Sequence, residues 1–506
     1  MSPFHCTNGI VHIVGIVGIV GIVGIVGIVG IVGRLLWLRT VFLGAVPLLV
    51  LSACVHRQEV RPLVEWEGER PAVMWIRDAR VFTATSEVAL EHHDVLVRDG
   101  VIERVLPAST TPPAGFERAR IIDGAGMTLL PGLVDAHMHT YVTGAPPWHV
   151  VWPEPEHALQ EALYAGTTTV HDLCGPPQDV LALRGRVARF EIAAPRMVVA
   201  GPLLTSVNGH PLSFAHLTLP GPISSVMNGY VREISHEAHA GRTVQDLAGL
   251  GVDVIMVAVA DTFDGTPTLT NAQLRAITST AHARGLRVVA HVDTAANAAR
   301  AAGSGVDALV HGVHSTALDD VAAERVARHV SMVAPTLLTF ERLDQMGQGT
   351  LVLSPLEQQS VATDLQRELP RAAASGYRPP AALLPWLGDL RTHRDDRLVG
   401  NVMKLRARGV RILVATDGHG SPGSFPAGIH EEMRLLVKAG IPPVEVLLGA
   451  TAWSAHLTTD TPSFGTIEPG KDADLLLVAG NPLEDISATQ RIVLVISRGR
   501  LVKRLP

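Results

Sequence analysis

Lysine is almost missing from this chain. Of 42 basic residues among 506, only Lys404, Lys438, Lys471 and Lys503 are lysines; the rest are arginines. Cysteine is as scarce, with three in all. A disulfide framework is therefore excluded as the source of stability. Positive charge is also in short supply. The formal net charge is −6, which leaves no basic footprint for nucleic acid. What the chain has instead is length and apolar content, 47% hydrophobic against 18% charged. That is enough for a large core and more than one domain.

The N-terminal region reads as something other than fold. Residues 13–33 are seven copies of Ile-Val-Gly. A glycine every third residue matches neither the helical nor the strand period. The run is long and apolar enough for a poor membrane span, but reads better as translated repetitive DNA upstream of the true start. Residues 1–33 are therefore expected to be absent from the mature protein. Residues 34–54 have the order of a secretory signal. Arg34 and Arg39 precede the apolar stretch Val41 to Leu51, and Leu51-Ser52-Ala53-Cys54 closes it. This tetrapeptide resembles the lipobox of bacterial lipoproteins. The resemblance implies cleavage before Cys54 and lipidation of its sulfur. With Val55 rather than aspartate following, it implies an anchor in the outer membrane, facing the periplasm. Only Cys54 and Cys174 would remain, and the first would be acylated.

Residues 73–130 alternate in short segments such as Val73-Met74-Trp75-Ile76 and Asp94-Val95-Leu96-Val97, with a hairpin signal at Asp99-Gly100. The same texture returns in 474–478 and 492–496. The expectation is a small β-sandwich built from both chain ends, residues 55–130 and 465–506. Between them, residues 131–464 alternate strand and helix patterns. Candidate strands are 132–138, 166–173, 196–204, 252–258, 286–292, 306–312, 331–337 and 410–416; helical stretches include 270–284 and 293–303. Eight such alternations predict a closed (β/α)8 TIM barrel, an α/β fold. The interval 341–408 is too long for one crossover and carries Pro370, Pro379, Pro380 and Pro385, which predicts a helical insertion.

The densest chemistry is His137-Met138-His139 at the end of the first candidate strand. Residues i and i+2 of a strand point to one side, so two imidazoles converge as a first-row metal ion requires. Two neighbouring histidines can also coincide by chance. Later strand ends carry His291, His311 and Asp417, and barrel strand ends meet at one face. A lone histidine there is usually a satisfied core residue; four histidines and an aspartate are harder to explain so.

With these residues the chain resembles the amidohydrolase superfamily, in the branch of imidazolonepropionase-like enzymes and secreted Xaa-Pro dipeptidases. The resemblance covers residues 73–506. It rests on Pro131-Gly132-Leu133-Val134-Asp135-Ala136-His137-Met138-His139, on the His291, His311 and Asp417 segments, and on Gly465-Thr466-Ile467-Glu468-Pro469-Gly470-Lys471-Asp472-Ala473-Asp474-Leu475. Many members of this branch hold two metals bridged by a carboxylated lysine on the fourth strand. Here Met256 stands at that position, and no lysine lies near it. A thioether cannot bridge two hard cations.

The resemblance then implies a single divalent ion on His137, His139, His291 and Asp417, with Zn²⁺ the first choice and Fe²⁺ or Mn²⁺ as alternatives. A metal-activated hydroxide would attack, Asp417 would move the proton, and His311 would polarise the substrate carbonyl. His210 is read as a substrate contact at the barrel mouth or an ordinary loop histidine. His171 is read as supporting the site or as core. Deaminases and imidazolonepropionases carry a glutamate three residues after the fifth-strand histidine; here that position is Thr294, with Asp293 off by one. The expected reaction is hydrolysis of an amide-type bond in a small molecule. The alternative is a degenerate enzyme kept as a periplasmic binding lipoprotein.

Overall fold

The computed structural model describes residues 56–218, 225–261, 265–372 and 374–506. The Ile-Val-Gly repeat, the signal-like segment and Cys54 lie outside the described residues. No described helix is long and apolar enough to cross a membrane. The short strands His56–Arg57 and Val151–Trp152 pair in parallel and form a small unit of their own. The other unit is Gln58–His149 with Pro153–Pro506.

Parallel strands appear in order at Leu133–Met138, Thr167–Asp172, Arg196–Val199, Val254–Val259, Arg287–Val292, Ala308–Val310, Met332–Ala334 and Arg411–Ile412. Helices fall between most of them, including Asn271–His282 and Ala295–Ala302 at the two stretches read from the sequence. Both helices start on a threonine cap: Thr270 with Gln273 in a reciprocal capping box, and Thr294 accepting from Asn297 N.

The third strand differs from the expectation. Residues 196–204 do not run through: Gly201 is left-handed and Pro202 has no N–H to donate. The chain breaks there, and Leu203–Ser206 continues the path beside Val254–Val259 while also pairing with an unforeseen strand, Val231–Ile234. The eighth strand is shorter than expected, Arg411–Ile412, and the chain beyond it reaches Asp417, whose φ is +50°.

No continuous ladder closes the ring among the described residues; one parallel sheet has three strands and another seven. Single hydrogen bonds span the first joint. Ala136 N donates to Val414 O at 3.0 Å, Asp417 N to His137 O at 2.8 Å and His139 N to Gly418 O at 2.9 Å. Asp253 N to Val199 O (2.8 Å) spans the second, while Ala200 N to Asp172 O (2.9 Å) extends the pairing of the second and third strands.

Alternation along the strands separates two cores. On the fourth strand Ile255, Val257 and Val259 pack in the large cluster that includes Leu274 and Ile277 of the following helix. Val254, Met256 and Ala258 belong to the interior cluster with Val289, Val310 and Met332. Met256 is thus an interior residue of this strand, 1% exposed.

Both chain ends meet in one sheet of nine strands, running from Val64–Trp66 through Arg500–Arg504, Ile492–Ser497, Leu475–Ala479, Met127–Pro131, Val73–Val81 and Leu90–Arg98 to Val101–Pro107, with Arg120–Asp123 beside Val73–Val81. The sequence predicted a β-sandwich; the strands of both chain ends pair in one continuous sheet, whose two halves share a core of Ile76, Val95, Leu475 and Ile496. Residues 341–408 hold mainly short helices, among them Pro355–Ser360, Thr363–Glu368 and Leu384–Arg394. Arg342, the first arginine of that interval, is buried and paired with buried Glu357 at 2.7 Å, so it holds the insertion together.

His430, on the helix Ile429–Lys438, joins three parts of the chain. Its ring nitrogens lie 2.9 Å from Thr489 Oγ1 and 2.9 Å from Ala165 O. Burial pushes this imidazole down from 6.5 to about 4. Below about 6.5 the unfolded chain takes up a proton that the folded one does not. The corresponding stability is complete above that pH and is lost as pH falls toward 4. His430→Gln is expected to flatten the decline of the melting temperature between about pH 7 and about pH 5. Equal slopes in the two proteins would contradict this.

Candidate metal centre

The strand ends bring His137, His311 and Asp417 to one place, with one ligand atom from each within 4.8 Å of the others. Asp417 is the hub. Its Oδ1 lies 3.3 Å from His137 Nε2 and 3.2 Å from His139 Nε2. Its Oδ2 accepts from Ser421 Oγ at 3.1 Å and Thr339 Oγ1 at 3.3 Å. His311 stands edge-on to His137 with ring centroids 4.9 Å apart. His291 is one ring further, 4.3 Å from His311, and His210 lies 4.4 Å from His291. His291 is thus next to the three-residue cluster, while His311 is inside it.

Local backbone geometry aims these side chains. His311, Thr336 and Asp417, at the ends of the sixth, seventh and eighth strands, all adopt positive φ, +68°, +49° and +50°. Non-glycine residues hold this conformation at a cost that the surrounding structure must offset. Asp135 secures the joint between first and eighth strands: buried, it accepts from His137 N, Thr416 N and Thr416 Oγ1. Burial pushes its carboxyl up to about 7 against the pull of those bonds. His139 Nδ1 points at Cys174 O at 3.5 Å, leaving Nε2 for Asp417. His311 Nδ1 meets Thr336 Oγ1 at 3.0 Å. Gly420 must lack a side chain, because a Cβ there would lie 2.1 Å from Asp417 Oδ1 and 2.5 Å from His139 Cδ2.

Electrostatics leave the cluster ready for a cation. Burial holds the His291 and His311 imidazoles well below 6.5, hence neutral. Burial also lowers His137, more than Asp417 raises it. On His139 the bond and charge of Asp417 outweigh burial, and its pKa is raised. Asp417 is held well below the usual carboxylate value, because the imidazoles around it outweigh its burial. His137, His291 and His311 are thus held neutral beside one anion, the protonation state that divalent-ion ligands need, while His139 must give up its proton to a bound cation. Neither ring nitrogen of His137 has a hydrogen-bond partner, although the residue is buried. The 3.2 and 3.3 Å separations are long for charge-assisted hydrogen bonds, about 2.7–2.9 Å. They approach the roughly 3.4 Å between neighbouring ligands around a shared ion with bonds of about 2.1 Å. The residues present fit a metal.

His171, expected near substrate or in support, is fully buried with Nδ1 3.0 Å from Asp135 O; burial lowers it to about 4. His210 is likewise lowered to about 4 by burial. Thr294 caps its helix. Asp293 accepts from Thr294 N, Asp261 N and Asn297 Nδ2, so it is engaged in holding the loop after the fifth strand.

Sequence reasoning missed one group. His419, two residues after Asp417, is buried, with its Nε2 3.4 Å from Glu161 Oε2. Glu161 Oε1 in turn lies 3.3 Å from His157 Nε2, one helical turn earlier on Pro155–Tyr164. Glu161 stays below its ordinary pKa because the two imidazoles outweigh its burial. The group ties the loop carrying Asp417 to the helix after the first strand. The i, i+4 spacing of His157 and Glu161 was the available signal; their meeting with His419 is tertiary.

Comparison with known proteins agrees with this architecture. The imidazolonepropionase of Chromobacterium violaceum is 26% identical over 427 residues, covering 77% of this chain and 86% of that one. A crystal structure of a Xaa-Pro dipeptidase with methionine bound in its active site superposes with a TM-score of 0.66 at 22% identity, over 85% of this chain and 99% of that one. The ochratoxinase of A. niger gives 0.64 at 21% identity, over 86% and 96%. Such neighbours imply a TIM-barrel-like α/β fold, a family setting in which metal dependence is general. The amidohydrolase family model matches residues 128–502, most of the chain and every strand end described above: this chain belongs to the amidohydrolase family.

Proposed function

We propose that this protein is a divalent-metal-dependent hydrolase that cleaves an amide-type bond, in a peptide, a cyclic amide or a related small molecule. The observation that carries the reading is Asp417, anionic and set between His137 and His139 in a buried site. It is supported by the family and by relatives named as an imidazolonepropionase, a Xaa-Pro dipeptidase and an ochratoxinase. His137, His139, His291 and Asp417 are assigned to one ion, Zn²⁺ in the first place and Fe²⁺ or Mn²⁺ otherwise. When bound, that ion supplies Lewis acidity, which brings the pKa of a water toward about 7.

The chain's own groups do the rest. Asp417 takes the proton from the attacking water and passes it to the leaving nitrogen. His311, neutral and fixed by Thr336, donates to the carbonyl oxygen as it becomes an oxyanion. His210 lines the substrate side, and His171 supports the first strand. Thr294 and Asp293 are occupied structurally, so no carboxylate stands where the family's deaminases have their glutamate. Plain hydrolysis is left. Purified protein loaded with Zn²⁺, Mn²⁺ or Fe²⁺ should turn over at least one class among dipeptides, lactones and N-acyl amino acids. Inactivity across all three panels would remove the proposal.

A single ion follows from Met256. Its level on the fourth strand pairs with Val289, two residues below His291 on the fifth, and its surroundings are apolar. Met256→Lys is expected to raise bound metal from about one toward about two per chain in bicarbonate, as a carboxylated lysine bridges two ions. Unchanged stoichiometry would show that this position does not reach the centre. The same methionine favours a second reading, a degenerate relative retained for binding. The intact His137, His139 and Asp417 arrangement weighs against it. The N-terminal segment supports placement as a lipoprotein on Cys54, in the bacterial envelope.

A further inference from the structure

The strands' other ends, away from the metal centre, enclose a second place with unmet chemistry. A cavity of about 290 Å³ opens where the fifth, sixth, seventh and eighth strands begin, at Arg287, Asp307, Ser331 and Arg411. It has room for about ten waters at about 30 Å³ each. Each of its two carboxylates has a partner. Asp307 Oδ2 takes bonds from Val288 N at 2.7 Å and His282 Nε2 at 2.9 Å. Asp460 is paired with Arg287, which also donates to His456 O.

Three of its donors, unlike Arg287, are not engaged. Among the described residues the half-buried Arg411 guanidinium makes no hydrogen bond or ion pair, and neither the Ser331 hydroxyl nor the His329 ring makes a hydrogen bond. Burial and the neighbouring charge of Arg287 push Arg411 below its ordinary value, with Asp460 opposing. A planar fork of N–H groups beside a hydroxyl and an imidazole is the donor set that a carboxylate or phosphate takes bidentately.

We propose that this cavity is a binding site for a small oxyanion, a carboxylate or a phosphate, anchored by Arg411. It lies at the end of the strands opposite His137 and Asp417, so its occupant is an effector or a structural ligand and not the substrate.

The test is calorimetric titration of the metal-loaded full chain with inorganic phosphate and, separately, acetate, at ionic strength fixed with chloride. One site per chain is expected for at least one of the two anions, and which of them binds identifies the source. Arg411→Ala should weaken it about tenfold or more, the loss of charged hydrogen bonds. Arg411→Lys should be weaker than wild type, because an ammonium cannot fork. The His137→Gln, His139→Gln double variant should bind the anion as wild type does, which separates this cavity from coordination at the metal. Turnover of Arg411→Ala without anion should be unchanged. Absence of binding by either anion, equal binding by Arg411→Ala, or loss of binding together with the metal ligands would each overturn the assignment.

Discussion

Asp417→Asn is expected to lower turnover about 1000-fold or more, roughly 4 kcal/mol of barrier. Three functions sit on this one side chain. Its charge balances a cation, its Oδ1 faces two imidazoles, and its other oxygen is steadied by Ser421 and Thr339. The amide keeps the shape but carries no charge and accepts no proton. One of its two positions becomes a donor, which faces either ring nitrogens or hydroxyls. The fold should persist, since the bond from Asp417 N to His137 O belongs to the backbone. The check is kcat with circular dichroism on the same sample. A folded variant within tenfold of wild type would break the proposed role of Asp417 in proton transfer.

His137→Gln combined with His139→Gln is expected to take bound metal from about one per chain to nearly none. Both rings converge on Asp417 from one strand, and removing both leaves a single carboxylate with His291 and His311 nearby. The single variants carry a sharper question. If His291 is a ligand, His291→Gln should lose metal, while His311→Gln keeps metal and loses turnover. The reverse pattern would give the fourth nitrogen to His311, which stands inside the three-residue cluster. Metal content by elemental mass spectrometry distinguishes the two, whatever the substrate.

These residues were legible because strand chemistry is local. The i, i+2 histidines and the strand-end His311 and Asp417 follow from a period of two and from the rule that strand ends share a face. The positions of Thr294 and Met256 were equally readable, since each is a position within a motif. What was not legible depended on contacts between distant segments. Gly201-Pro202 breaks the third strand and admits Val231–Ile234, which no short polar-apolar pattern announces. The terminal strands had the right texture, but which of them pair is decided by partners hundreds of residues apart. His157 and Glu161 look like a surface helix pair until His419 meets them from the eighth strand's loop. The buried pair of Arg342 with Glu357 is likewise a contact across 15 residues that no local pattern announces.

The most direct test of the central claim is metal content of protein lacking residues 1–54, measured by elemental mass spectrometry, with turnover followed through chelation and readdition. About one divalent ion per chain is expected, with activity lost with the ion and restored by it. Protein that retains no ion and regains no activity on readdition would contradict it.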